Sequence, residues 1–109
     1  SDRWASTRVH LMLPPSDGRY IELTVTLPPG PVERQSIVVR SGRRVFARES
    51  FANGTFTLSV PLPEDLWDAT LAFTIEAQRH FVPGDTDRRR LCYLLDRVAF
   101  SERYQLAGR

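Results

Sequence analysis

The side chains that could perform catalysis are few in this sequence, and they do not form a recognisable set. The two histidines, His10 and His80, are far apart, and His10 alternates with apolar residues in a stretch that points it outward. The acids Glu64 and Asp65 are adjacent, whereas glycoside hydrolysis needs two carboxyl groups across a cleft. The motifs of serine hydrolases, P-loop proteins, zinc proteases and dinucleotide-binding enzymes are missing. We therefore expect this chain not to be an enzyme.

A second group of charged residues precedes the last apolar stretch, where Asp85 and Asp87 are followed by arginines at positions 88–90. The two acids could offer oxygen ligands to calcium, but the arginines oppose a cation. The arginines could contact phosphate, yet the adjacent acids favour internal neutralisation, and the net charge is only +2. Cys92 is the only cysteine, which excludes an internal disulfide and a cysteine-based zinc site. We expect no metal, no cofactor and no nucleic-acid partner.

Aromatic side chains are the more promising binding groups. Exposed tryptophan and tyrosine rings can stack on the CH-rich face of a sugar, with polar side chains around them. Trp4, Trp67 and His80 are the candidates for a weak ligand site. Trp67 also has a purely structural interpretation, because it ends an apolar turn and could cover one end of the core.

The elements that would position these residues are strands, because alternation of apolar and polar residues is the dominant pattern. In residues 55–60, Phe56, Leu58 and Val60 fall on one face and hydroxyl side chains on the other. Turn-forming residues separate such stretches, and Gly42 suits the left-handed position of a hairpin turn. One short helical turn is predicted near Pro63–Trp67. The seven predicted strands cover residues 7–13, 20–27, 35–40, 44–50, 55–60, 70–77 and 91–100.

The length and composition agree with one all-β domain. A chain of 109 residues supports one ordinary core, and short strands at intervals of about ten residues are typical of an antiparallel β-sandwich. No apolar run reaches the ~20 residues that span a bilayer, so no membrane span is expected. The chain begins at Ser1 without an initiator methionine, and we expect it to be a single domain, residues 1–109, excised from a larger protein.

Three stretches, residues 38–45, 60–66 and 81–92, together resemble the jelly-roll-like β-sandwich accessory domain found beside catalytic domains in bacterial polysaccharide glycosyltransferases. They correspond to a hairpin, a proline-containing corner and the segment before the last strand of that family. The resemblance implies a domain attached to a sugar-transferring enzyme, where it helps to hold the acceptor glycan or the neighbouring catalytic domain. It does not imply that the domain itself transfers sugar.

Single positions can be matched within this resemblance. The family's acid falls on Asp87, its arginine on Arg89 and its leucine on Leu91, while Cys92 stands where the family has glycine. Trp4 matches a tryptophan near the family's start, although the residues that usually precede it are missing here. Because Asp87 and Arg89 are two apart in an extended segment, their side chains leave one face, and we expect a structural ion pair that braces the loop.

Three functions follow from these observations. The first is a non-catalytic carbohydrate-associated module that binds or positions glycan. The second is a module that docks on the parent protein's catalytic domain or dimerises without binding sugar. The third is a small enzyme, which would require a concave site with converging titratable groups. The sequence favours the first.

Overall fold

The computed structural model describes residues 4–15, 18–67, 69–80 and 91–101, in which the side chains of Trp4 and Ser101 are not described. All seven predicted strands are present, together with a two-residue strand that was not predicted. The predicted helical turn is a 3-10 turn over Glu64–Leu66. The strands are β1 Trp4–Ala5, β2 Arg8–Leu13, β3 Tyr20–Leu27, β4 Arg34–Ser41, β5 Arg44–Ala52, β6 Gly54–Pro61, β7 Leu71–Ala77 and β8 Tyr93–Ser101.

The strands form two antiparallel sheets of four. Sheet A has the order β1-β8-β3-β6, and sheet B has the order β2-β7-β4-β5. The pairs are nested: β4 pairs with β5, β3 with β6, β2 with β7, and β1 with β8. Nested pairing shared between two sheets is the arrangement of an eight-stranded jelly roll, so the predicted β-sandwich is confirmed. No helix in the described part of the chain has the length and apolarity that crossing a membrane requires.

The space between the sheets is filled by the apolar residues of the alternating strands. Leu58, Phe73 and Ile75 are buried there, as the alternation predicts. Thr57 and Thr74 lie on the opposite alternation and face away from the core, but Thr74 is only 9% exposed. It lies in an inner strand between His10 and Arg40, whose side chains leave the same face. An outward position in an inner strand can therefore still be covered.

The hairpin between β4 and β5 turns where the sequence predicted it. Gly42 has a φ of +58°, in the left-handed region that a side chain disfavours. The register shifts by one residue between Val39 and Arg40, which is a β-bulge next to the turn. Arg44, the first residue of β5, forms a bidentate ion pair with Asp65 of the 3-10 turn, at 2.8 and 3.0 Å. This exposed pair joins the hairpin to the connection between the two sheets.

Truncation of Phe73 tests the assignment of the core. Phe73→Ala should lower the free energy of unfolding by about 3–5 kcal/mol, because it removes a buried ring and leaves a cavity. Met12→Ala, on the neighbouring strand and 71% exposed, is the matched control and should change stability by less than about 0.5 kcal/mol. Urea unfolding measures both variants. Equal losses for the two would contradict the assigned faces of sheet B.

Candidate functional site

Trp67 covers one end of the sandwich rather than offering an open ring. It is half-buried, and its indole Nε1 donates a hydrogen bond to the carbonyl oxygen of Leu62 at 3.1 Å. The guanidinium carbon of Arg19 lies 4.6 Å from the ring centroid, a cation–π contact that occupies one face. A sugar would have to displace Arg19 to stack on that face. Whether Trp67 contacts a ligand stays a prediction.

His80 is exposed and borders a shallow depression of about 430 Å³, formed with Pro31 to Glu33 and Gln78 to Arg79. This depression lies beyond the end of β3, whereas Trp67 lies near its beginning, where Leu62 bonds to Arg19. The structure thus places His80 and Trp67 at opposite ends of the sandwich.

The other residues singled out by the sequence are placed only in part. Trp4 lies in β1, where its backbone pairs with Leu94, and its side chain is among those not described. Asp87 and Arg89, the expected structural pair, lie outside the described residues. Their pairing stays a prediction.

A groove lies on the outer face of sheet B, with a volume of about 490 Å³. It crosses the inner strand β4, with β7 on one side and the edge strand β5 on the other. Residues paired across antiparallel strands share a face. The groove is lined by two rows of such residues, with Gln78, Ser36 and Ser50 in one row and Glu76, Val38 and Arg48 in the next.

The chemistry of the groove is polar around an aliphatic centre. Val38 is half-buried at the middle of its row. The hydroxyl groups of Ser36 and Ser50 lie 3.1 Å apart and exchange a hydrogen bond. The side-chain amide of Gln78 and the guanidinium of Arg48 are exposed beside them. Donors and acceptors thus surround a small apolar surface.

Glu76 and its arginine neighbours dominate the electrostatics of this face. Glu76 forms ion pairs with Arg40 and with Arg8, the latter at 3.1 Å. The hydrogen bonds from Arg40 and then Arg8 lower the pKa of the Glu76 carboxyl group, so it is ionised at neutral pH. Arg40 also donates to the carbonyl oxygen of Gly42 at 2.6 Å. The carboxylate is therefore fully engaged, and positive charge exceeds negative charge around it.

Glu49 lies at the rim of the groove in a different environment. Glu49 pairs with Ile37, so its side chain leaves the face of sheet B that is turned toward sheet A. It is only half-buried because β5 is an edge strand. Burial raises the pKa of its carboxyl group. Ionised Glu49 therefore destabilises the folded state relative to its protonated form.

Gln35 is the buried polar residue that supports the groove from below. Its side chain is 0% exposed. Its Nε2 donates to the carbonyl oxygens of Arg79 at 2.7 Å and Cys92 at 3.0 Å. Its Oε1 accepts from the backbone N–H groups of Ser36 at 3.1 Å and Arg79 at 3.0 Å. Every donor and acceptor of the amide is satisfied, which removes the penalty of burying it.

Cys92 is buried beside this amide. Burial raises the pKa of its thiol to about 11, so the nucleophilic thiolate is scarce at neutral pH. Within the described ranges, no three histidine, cysteine, aspartate or glutamate side chains converge to hold a metal ion. Neither observation adds a reactive centre to the groove.

The groove and its support were not singled out by the sequence analysis, although signals for both exist. Gln35 alternates with the apolar Ile37 and Val39, which predicts an inward-facing polar residue. Ser36 and Val38 alternate with them on the outward face. The spatial neighbours of that face come from two other strands, β5 and β7, and only the strand order identifies them.

Comparison with protein-family models, with curated proteins and with solved structures finds no match to this chain.

The raised pKa of Glu49 predicts that removal of its charge stabilises the protein at neutral pH but not at acidic pH. The folded state binds the Glu49 proton more tightly than the unfolded state does, so stability decreases as the pH rises through the raised pKa. Glu49→Gln should therefore raise the melting temperature at pH 7 and leave it unchanged at pH 3, where the carboxyl group is protonated in both states. Glu64→Gln, at an exposed position, is the control and should have little effect at either pH. A lower melting temperature for Glu49→Gln at pH 7 would contradict the assignment.

Proposed function

We propose that this chain is a non-catalytic module of a glycan-handling protein and that it binds or positions carbohydrate in the groove on sheet B. The observation that carries the proposal is the combination of surfaces in the groove. Val38 provides an aliphatic centre, and hydroxyl, amide and guanidinium groups surround it. A sugar ring likewise has an apolar CH face and a rim of hydroxyl groups that donate and accept hydrogen bonds.

The proposed binding is weak. The described residues that line the groove include no aromatic side chain, so none of them adds ring stacking. A neutral hydrogen bond contributes a net ~0.5–1.5 kcal/mol, and three or four of them correspond to dissociation constants near 1 mM. Such affinity suits a domain that keeps a glycan close to a neighbouring active site. The resemblance to glycosyltransferase accessory domains supports this role.

The non-catalytic part of the proposal rests on the dispersal of reactive groups. His10 and His80 belong to different concavities, and the carboxylates of Asp65 and Glu76 are held by arginines. A general acid and a general base must both reach the reacting bond. Glu49 and Glu76 both line the groove, but the Glu76 carboxylate is engaged by Arg8 and Arg40.

A second candidate function is docking on a protein partner or dimerisation. Met12 and Val45 are 71% and 41% exposed, and both lie on the outer face of sheet B. They belong to β2 and β5, which are the edge strands of sheet B among the described residues, and edge strands can pair with another chain. This function would place protein rather than sugar on the same sheet.

Affinity electrophoresis distinguishes the two candidates. The purified chain is run through gels that contain dextran, arabinoxylan, mixed-linkage β-glucan or polygalacturonate. We expect at least one polysaccharide to retard it. The variant Ser36→Ala/Gln78→Ala should weaken that binding about three- to tenfold, because two hydrogen-bonding side chains are removed.

The matched control is Thr24→Ala/Thr57→Ala, which alters the outer face of sheet A. It should leave the retardation unchanged. Absence of retardation by every polysaccharide, or equal losses for the two double variants, would overturn the proposal. A concentration-dependent dimer disrupted by Met12→Ser would instead support the docking function.

A further inference from the structure

The outer face of sheet B carries an excess of guanidinium groups that a neutral sugar would not require. Residues of β4 on this face are Arg34, Ser36, Val38 and Arg40, since they alternate with the inward-facing Gln35, Ile37 and Val39. Arg8 of β2 and Arg48 of β5 lie on the same face through their pairing with Glu76 and Val38. Within the four strands, Glu76 is the only carboxylate on this alternation.

From this arrangement we infer that the ligand of the groove is an acidic glycan, whose carboxylates are bound by Arg48 with support from Arg34. The inference rests on the proposed function and specifies its ligand. Arg48 is exposed at the edge of the groove, and among the described residues it makes no ion pair. Its cross-strand neighbour is Val38, and the next residue in that row is Glu76. The Glu76 carboxylate already forms ion pairs with Arg8 and Arg40. No described carboxylate thus occupies the Arg48 guanidinium, which can bind an anion.

The chemistry of guanidinium favours a carboxylate as that anion. The planar fork of arginine donates two parallel hydrogen bonds to one carboxylate group, and such charge-assisted bonds are about twice as strong as neutral ones. The hydroxyl groups of Ser36 and Ser50 and the amide of Gln78 lie in the adjacent row. A uronic acid carries a carboxylate beside its ring hydroxyl groups. The carboxylate matches the row that contains Arg48, and the hydroxyl groups match the row of Ser36, Ser50 and Gln78.

The architecture of the groove argues against other polyanions. Nucleic acid in single-stranded form is usually bound by aromatic side chains that stack on its bases, and the described residues that line the groove include none. An acidic peptide could add to a sheet as an extra strand only at a free edge. The groove lies over β4, which is paired on both sides with β7 and β5. The binding surface is therefore a sheet face, where a glycan can lie across the strands.

Isothermal titration with two matched probes tests the inference. The probes are trigalacturonic acid and its fully methyl-esterified form, which has the same rings without the negative charges. We expect the acid to bind at least about tenfold more tightly than the ester. Arg48→Gln should remove most of that difference, weakening binding of the acid much more than binding of the ester, because it deletes a charge-assisted contact.

Arg97→Gln is the matched control, since it removes the same charge from the outer face of sheet A, where Arg97 is exposed. It should leave the preference for the acid intact. Dextran sulfate is included as a probe for binding to any polyanion.

The outcomes separate this inference from the proposed function. If the ester binds as tightly as the acid, or only neutral polysaccharides bind, the acidic ligand is wrong and carbohydrate binding stands. If Arg97→Gln weakens acid binding as much as Arg48→Gln does, or dextran sulfate binds as tightly as the acid, the interaction is non-specific and the inference fails. If no glycan binds, both fail.

Discussion

The buried side-chain amide of Gln35 is the interaction on which the arrangement of the two sheets and of the groove depends. An unpaired amide in the apolar interior would cost several kcal/mol, so its position is determined by the four backbone groups that satisfy it. Those groups belong to β4 of sheet B, to Arg79 after β7, and to Cys92 immediately before β8 of sheet A. One side chain therefore links both sheets and fastens both ends of the connection between β7 and β8.

The hydrogen bonds of the Gln35 side chain also determine the positions of the groove residues. Ser36, which donates its backbone N–H to the Gln35 side chain, directs its own hydroxyl group to the outer face. Gln78 donates its backbone N–H to the carbonyl oxygen of Ser36 at 2.9 Å, which places it in the same row. Because the amide holds these backbones, the polar groups of the groove are arranged before any ligand binds. Preorganisation lowers the entropic cost of binding, which matters for a site with few contacts.

Local pattern was sufficient to predict most of the fold but little of the site. Alternation identified the buried Leu58, Phe73 and Ile75, and Gly42 identified the central hairpin, because these signals depend only on neighbouring residues. The two-residue strand β1 was missed, since two residues carry no alternation. The groove required the nested strand order, which brings Arg48 and Gln78, thirty positions apart in sequence, to one surface. No local pattern encodes that proximity.

If carbohydrate binds as proposed, the outer face of sheet B is the binding surface. Titration of the ¹⁵N-labelled chain with trigalacturonic acid, followed by amide chemical shifts, tests it most directly. We expect the largest chemical-shift changes at the amides of Ser36, Arg48, Ser50 and Gln78, and no change at the amides of Thr24 and Arg97 on sheet A. Shift changes centred on Arg19 and Trp67 or on sheet A, or none at saturating ligand, would contradict it.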